Sequence, residues 1–564
     1  MTLKRNLLTL TFLAFGTVYP SISHAQLDQQ TGVADVGRID RSLSQSALVP
    51  QSGPNISIQS APPLEAPAGA ENIRFKFGGI ELLDSKVYSP EELTPLYADM
   101  IGQEVTLADV YALANRVTLK YRNDGYILTR VIIPPQTIES GIPQFQAVEG
   151  FIDNITIDGG TEKKSALKLI EQYAGRISNG EALTIEALER NLLLINDLPG
   201  VNARSIISPS PTTPGGADLL IIVNRDAYEG KIGINNYGSR FLGPIQMSAV
   251  GVARSLYGWN ESITAQLVVA PDDGIELGYG SLTYAQPVGK YGTVLSTAVS
   301  VTDTDPGFTL KPFEVNGLSK SISFQAKHPI IRSRNTNLSA RLGFDWRNVT
   351  SKNNVEETRK DQLRVIRAGA QMDFLDRLLG VAVNTFDIQL SQGIGFFGAS
   401  DKDDANLSRA DGDPSFTKAE IQVQRLQRIT GSVNLLLQGK AQLSNNPLLS
   451  SEEFGLGGYS SVRGYDPSEV VGDDGMSGKI ELQWNTPQKG VQLFGFLDAG
   501  TVWDKDATSA ANRRNSLSAT GLGVRLDLPQ NYNAEFAASQ PLNRDIATQG
   551  ENDPQFFFNL SKKF

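Results

Sequence analysis

Most of the side chains that usually carry chemistry are missing from this chain. It has no cysteine and only two histidines among 564 residues, which excludes disulfides, thiolate metal sites and cysteine nucleophiles. His24 lies in a segment read below as removed, so His328 has no second imidazole with which to hold a metal or relay a proton. Catalysis would have to rest on the 61 Asp and Glu residues, yet nothing in the sequence groups two of them at one site. Neither a Gly-x-Ser-x-Gly elbow nor a Gly-x-x-x-x-Gly-Lys phosphate loop occurs. A formal charge of -10, with no basic tract, argues against a nucleic-acid partner. The reading is therefore a non-enzymatic protein with no cofactor and no metal. What remains is ion-pair chemistry. Over residues 491–503, Leu493, Gly495, Leu497 and Ala499 share one face of an alternating strand, so Phe496 and Asp498 point the other way. If that way is inward, Asp498 is a fixed internal carboxylate. An arginine carried on an inward-folded loop can then meet it in a bidentate pair, strengthened by partial exclusion of water.

The elements that must position such a pair follow from the texture of the chain. Residues 1–25 read as an export signal: Lys4 and Arg5, an apolar run over 7–18, then Ser23-His24-Ala25. The run is shorter than the roughly 20 residues of a spanning helix. Residues 26–72 contain no aromatic residue, and composition alone favours an unstructured tail. Val36, Ile39, Leu43 and Ala47 nevertheless recur at helical spacing, with Arg38, Asp40 and Arg41 on the other face. One short amphipathic helix within 26–48, followed by an extended Pro-rich linker over 49–72, fits this pattern.

Residues 73–150 and 151–228 each read as a βααββ module. In the first, a strand at 74–83 precedes the capping box of Ser89-Pro90-Glu91-Glu92 and a helix to about Met100. Thr106 caps a second helix bearing Val110, Leu113, Ala114 and Val117, and strands follow at 126–133 and 144–149. The second repeats the order, with helices at 165–175 and from Thr184 to Asp197. Each module should leave a sheet edge open to an extended partner.

From residue 229 to 564 the period becomes two. Ala340, Leu342, Phe344 and Trp346 alternate with Arg341, Gly343, Asp345 and Arg347, and about sixteen such segments follow one another. A soluble sandwich alternates too. A charged polar face in strand after strand, and a last strand with Phe556, Phe558, Leu560 and the terminal Phe564 on one side, favour a transmembrane barrel with a wide, wet lumen.

In this context two motifs make the chain resemble the two-partner secretion outer-membrane transporters (TpsB type), which export haemolysins, adhesins or contact-dependent toxins, within the POTRA-barrel superfamily. Phe454-Gly455-Leu456-Gly457-Gly458 leads to Val462-Arg463-Gly464-Tyr465, where that superfamily carries its VRGY signature, and Phe496-Leu497-Asp498-Ala499-Gly500 matches its F-x-D-x-G partner. Asn123-Asp124-Gly125-Tyr126 and Val148-Glu149-Gly150 are also similar to the family. The resemblance implies a mainly β fold: a 16-stranded antiparallel transmembrane β-barrel preceded by two α+β POTRA modules and an N-terminal plug helix with linker. It implies that Arg463 is the arginine that meets Asp498, that Val36, Ile39 and Leu43 belong to the plug, and that Phe564 is a C-terminal assembly signal. A monomer in the outer membrane, with its modules in the periplasm, would bind an unfolded exoprotein (TpsA type) by strand addition and pass it through the barrel without ATP. Outer-membrane lipid and, during biogenesis, the barrel assembly machinery would be its other partners. A factor that assembles outer-membrane proteins is the nearest alternative, since it shares the motif pair, although two modules are few for it. A passive porin is a further one, for which the modules would be superfluous.

Overall fold

The computed structural model describes residues 34–44, 63–138, 140–159, 164–178, 180–272, 274–509 and 513–564. The export signal, the ends of the plug segment and most of the linker lie outside these residues.

Sixteen antiparallel strands close a barrel, from Tyr228–Asn235 to Gln555–Lys563, each bonded to the next barrel strand along the chain. The last strand returns to the first, with Asn559 opposite Asn235 and Lys563 opposite Lys231. The alternation read in the sequence decides the two faces. Leu342 on the strand Thr336–Lys352 is exposed outward, whereas its neighbour Arg341 reaches Asp387 across the inner face at 2.7 Å. No helix among the described residues is long and apolar enough to cross a membrane. Strands can do so because closure pairs every backbone group that lipid would leave unsatisfied. The chain enters the barrel from the second module at Tyr228, so the connections at that end are the short ones, such as 289–292 and 333–335. The opposite end carries the long loops 394–416 and 445–473. The second of these joins Val433–Ser444 to Asp474–Asn485 and contains its own ribbon, Phe454–Leu456 paired with Val470–Gly472.

In the first module, Gln144–Val148 lies between Glu81–Leu83 and Arg130–Ile132, and Arg74–Lys76 pairs with Glu104–Thr106. The helix Leu107–Asn123 buries the expected face, Val110, Leu113, Ala114 and Val117, against Phe77, Leu93 and Phe145. It starts where Thr106 and Asp109 cap each other: the Asp109 amide donates to the Thr106 hydroxyl, and the Thr106 amide donates to the Asp109 carboxylate at 2.8 Å. Three expectations need correction. The strand at 74–83 is two strands, broken at Gly78-Gly79, where Gly79 takes φ +136°. The helix to Met100 is one turn, Pro90–Leu93, and then two 3-10 turns, because Pro95 supplies no amide to continue it. The strand at 126–133 shrinks to Arg130–Ile132. Residues 63–72, read as linker, rest on this module, where Leu64 exchanges two backbone hydrogen bonds with the Asn115 side chain, 2.8 and 2.9 Å.

In the second module Gly216–Arg225 runs parallel to Phe151–Gly159 and antiparallel to Val201–Pro209, with the helices Lys164–Ala174 and Ile185–Asn196 packed over its core. This module is fastened to the barrel rim. Arg332 forks onto Asp197 at 2.8 and 2.7 Å, and Arg190 donates to the carbonyls of Pro329 and Ile330.

Candidate functional site

The barrel lumen is occupied by two segments of the chain itself. The first is the loop 445–473. Its Arg463 lies under Val462 and Tyr465, whose side chains join Phe454, Leu456, Val470, Val502, Leu517, Ala519 and Ile546 in a buried apolar cluster. The guanidinium forks onto Asp498, with Nε to Oδ2 at 2.7 Å and Nη2 to Oδ1 at 2.8 Å, and its Nη1 donates to Glu481 at 2.7 Å. The Arg463 amide also donates to Asp498, at 3.2 Å. Beneath, the guanidinium carbon lies 3.5 Å from the centroid of the Phe496 ring. Asp498 is wholly buried, and Glu481 is shared with Arg525 at 2.6 Å. Two glycines make the approach possible. Gly464 takes φ +99°, a conformation that side chains resist, and Gly500 leaves the space that Leu456 fills: a Cβ there would come 2.5 Å from its Cδ1. Tyr465 donates its hydroxyl to the Ser518 carbonyl and to Asn543, tying the loop to the far strands.

The second segment is the helix Val36–Ser44. It begins at Asp35, whose carboxylate accepts from the Arg38 amide at 2.8 Å, an N-cap the sequence reading did not identify. Val36 is buried against the wall, and Ile39 and Leu43 pack onto Phe241, Leu242, Ala270, Leu277 and Leu310, so the apolar stripe is used. The polar face is buried as deeply. Asp40 accepts from Ser300 and Thr302 at 2.7 and 2.9 Å and lies 3.3 Å from Arg347. Arg41 reaches Glu420 at 2.5 Å. Arg38 donates to the Ser450 carbonyl and to Glu453 at the root of the arginine-bearing loop. At that root Glu452 is buried among four cations: Lys418 at 2.7 Å, Arg367 at 2.8 Å, Arg41 at 3.5 Å and Arg347 at 3.9 Å. Beside the helix a polar chamber of about 600 Å³ stays open, lined by hydroxyl residues such as Thr283 and Ser323 on one side and by Arg341, Arg367 and Glu420 on another.

The pattern of the family described as haemolysin secretion/activation protein ShlB/FhaC/HecB matches residues 215–526, more than half of the chain. The chain belongs to this family. A ShlB-type POTRA domain matches residues 75–150. The heme/hemopexin transporter protein HuxB of Haemophilus influenzae is 25% identical over 553 residues, covering 94% of this chain and 95% of HuxB. The outer membrane transporter CdiB of Escherichia coli O6:K15:H31 is 22% identical, covering 82% and 76%. The solved structure of CdiB from Escherichia coli superposes with a TM-score of 0.73 at 19% identity, over 98% of this chain and 100% of that one, a likeness of fold. As a ShlB/FhaC/HecB-family member, the chain is a two-partner secretion transporter whose barrel sits in the outer membrane and whose modules stand in the periplasm.

The structure brings Arg463, Asp498, Phe496 and Gly464 into one cluster, with Val462, Tyr465 and Gly500 in the apolar layer around it. Val36, Ile39 and Leu43 lie elsewhere in the lumen. Phe564 is on the outer surface, its amide donating to the Gly230 carbonyl at the closing seam. Sequence reasoning missed Glu481, Lys418, Glu420 and Glu452. The first three were legible as inward positions of alternating strands, but nothing local says which loop or helix they meet.

Proposed function

We propose that this transporter exports an unfolded exoprotein, that its modules capture the cargo by strand addition, and that no ATP is consumed in the barrel. The carrying observation is that the lumen is occupied by two segments held through side chains: the helix to the wall by Asp40 and Arg41 and to the loop root by Arg38, and the loop to the wall by Arg463. Neither shares a strand ladder with the barrel, since the loop ribbon forms a separate sheet. Such segments can leave and return without disturbing the closed ladder. The helix is the removable plug and the Arg463–Asp498 pair is the lock of the loop. Cargo main chain would add to an open edge such as Phe151–Gly159, where backbone hydrogen bonds demand little sequence. Folding at the cell surface supplies the drive. Phe564 serves as the recognition end for the barrel assembly machinery, and the working unit is the monomer.

The test is conductance and export on the same variants. Removal of residues 26–48 should raise open-channel current in planar bilayers, and an unchanged current would remove the plug. Arg463→Ala should abolish surface delivery of the exoprotein while the barrel still assembles. Normal delivery would take the loop out of the mechanism.

A further inference from the structure

One feature of the outer wall lies apart from the two lumenal segments. Arg367 points into the lumen, so the alternate residues of Glu357–Asp376, namely Met372, Ala370, Ala368, Ile366 and then Arg364, face the membrane. On the neighbouring strand Leu342, Phe344 and Trp346 lie opposite Ala368, Ile366 and Arg364. Beyond Trp346 that row turns polar at Asn348 and Thr350. A tilted strand crosses the hydrocarbon in about 9–11 residues, the span from Phe374 up to Arg364. Arg364 therefore stands on the lipid side, where the apolar belt ends.

It is nonetheless only 2% exposed, and no carboxylate partners it among the described residues. Its guanidinium lies 4.4 Å from the centroid of the Trp346 ring. It donates to Asn348 and to the carbonyls of Arg347 and Leu363, and through Nε and Nη2 to the carbonyls of Phe397 (3.0 Å) and Gly398 (3.2 Å). Two backbone bonds flank this clasp, Ile394 amide to Arg364 carbonyl at 2.9 Å and Ser400 amide to Gln362 carbonyl at 2.8 Å. Between them Gly395-Phe396-Phe397-Gly398 is thrown outward, with Phe397 at φ +58°. Phe396 is 72% and Phe397 76% exposed, and Phe397 meets the membrane-facing Phe344 edge-on at 6.2 Å. Two bare phenyl rings in a strained turn, continuous with the lipid-facing row, are placed for hydrocarbon rather than water.

We propose that residues 394–398 are a lipid anchor: Phe396 and Phe397 enter the acyl chains of the outer leaflet at the headgroup boundary, and Arg364 is the clasp that holds the turn against the barrel. The anchor would fix the height of the transporter on its surface side, independently of cargo.

Because the chain contains no cysteine, Phe396→Cys or Phe397→Cys takes a single bimane label on the full-length protein. The labelled protein is placed in phosphatidylcholine vesicles and in vesicles containing lipopolysaccharide, with Val355→Cys at the tip of a neighbouring loop as the water-exposed control. The expected result is strong quenching by doxyl lipids and several-fold less quenching by iodide than at the control. Doxyl quenching in both vesicle types identifies acyl chains in general, and quenching only with lipopolysaccharide identifies lipid A; both support the anchor. Iodide access equal to the control overturns it. So does protection from iodide without doxyl quenching, since a second copy or another protein would then cover the turn. Arg364→Gln should return iodide access at Phe397→Cys while the barrel stays heat-modifiable, and unchanged doxyl quenching in that variant overturns the clasp.

Discussion

Arg463→Ala removes the side chain that forks onto Asp498, and its cost can be worked from the geometry. With the loop in place, Val462 and Tyr465 keep water from Asp498, so the variant leaves a buried carboxylate without its hydrogen-bonded fork, with Lys479 opposite it on the neighbouring strand as the cation still near, whereas Glu481 keeps Arg525. Breaking a buried pair from one side costs about 3–5 kcal/mol. With the loop withdrawn, water reaches Asp498 and most of that penalty disappears, so the cost falls on the loop-in state alone. At 1.4 kcal/mol per decade the equilibrium should shift toward withdrawal by roughly two to three and a half decades. Arg463→Lys keeps the charge but gives up the fork and the stack on Phe496, a smaller loss of about 1.5–3 kcal/mol. The assay is the rate of maleimide labelling of Val462→Cys, buried in the native loop and unique in this thiol-free chain. Labelling should be at least about a hundredfold faster beside Arg463→Ala, and removing Asp498 as well, by Asp498→Ala, should recover part of the protection because the buried carboxylate is gone. Equal labelling rates, or strictly additive effects of the two substitutions, would refute the reasoning.

Three further outcomes follow from the same geometry. Gly500→Val places a side chain where Leu456 sits, so the loop should detach although Arg463 and Asp498 are intact, read by the same labelling rate. Glu452→Gln leaves Lys418, Arg367 and Arg41 without their shared acid, at a cost of about 3–5 kcal/mol; resting conductance should rise because the helix and the loop root lose one seat. In the first module, the Thr106 amide and then its hydroxyl hold the Asp109 carboxyl below the ordinary carboxylate range. A native value depressed in this way stabilises the helix Leu107–Asn123 above the unfolded value near 3.8, and that support is lost as pH falls through the lower native value. Hydrogen-exchange protection of the first helical turn, corrected for intrinsic rates, should thus stay level from neutrality to about pH 5 and fall in acid, while Thr106→Ala should cost about 1 kcal/mol and flatten that dependence.

How far the sequence reached depends on the range of the interactions. A strand reports its own faces every second residue, so the inward set Arg341, Asp345 and Arg347 and the outward set Leu342 and Phe344 could be read directly. Asp498 was assigned inward in the same way. Its meeting with Arg463 spans 35 positions and two elements, and no local period encodes it; only the paired motifs did. The helix shows the limit most clearly. Val36, Ile39 and Leu43 were legible as a stripe, but the burial of Arg38, Asp40 and Arg41 depends on Ser300, Glu420 and Glu453, hundreds of residues away. Charged residues on a short amphipathic helix usually face solvent, and here the solvent side is a second wall. The shortened helix in the first module was legible in principle, since Pro95 was present in the sequence.

The lumenal helix carries two acids, Asp35 and Asp40, and two bases, Arg38 and Arg41, every one of them matched by an opposite charge on the barrel or its loop. The charges of this stretch therefore sum to zero. If the helix leaves the lumen as proposed, a Donnan voltage over the cell envelope finds no net charge on it to pull, whereas the ion pairs that seat it weaken as salt rises.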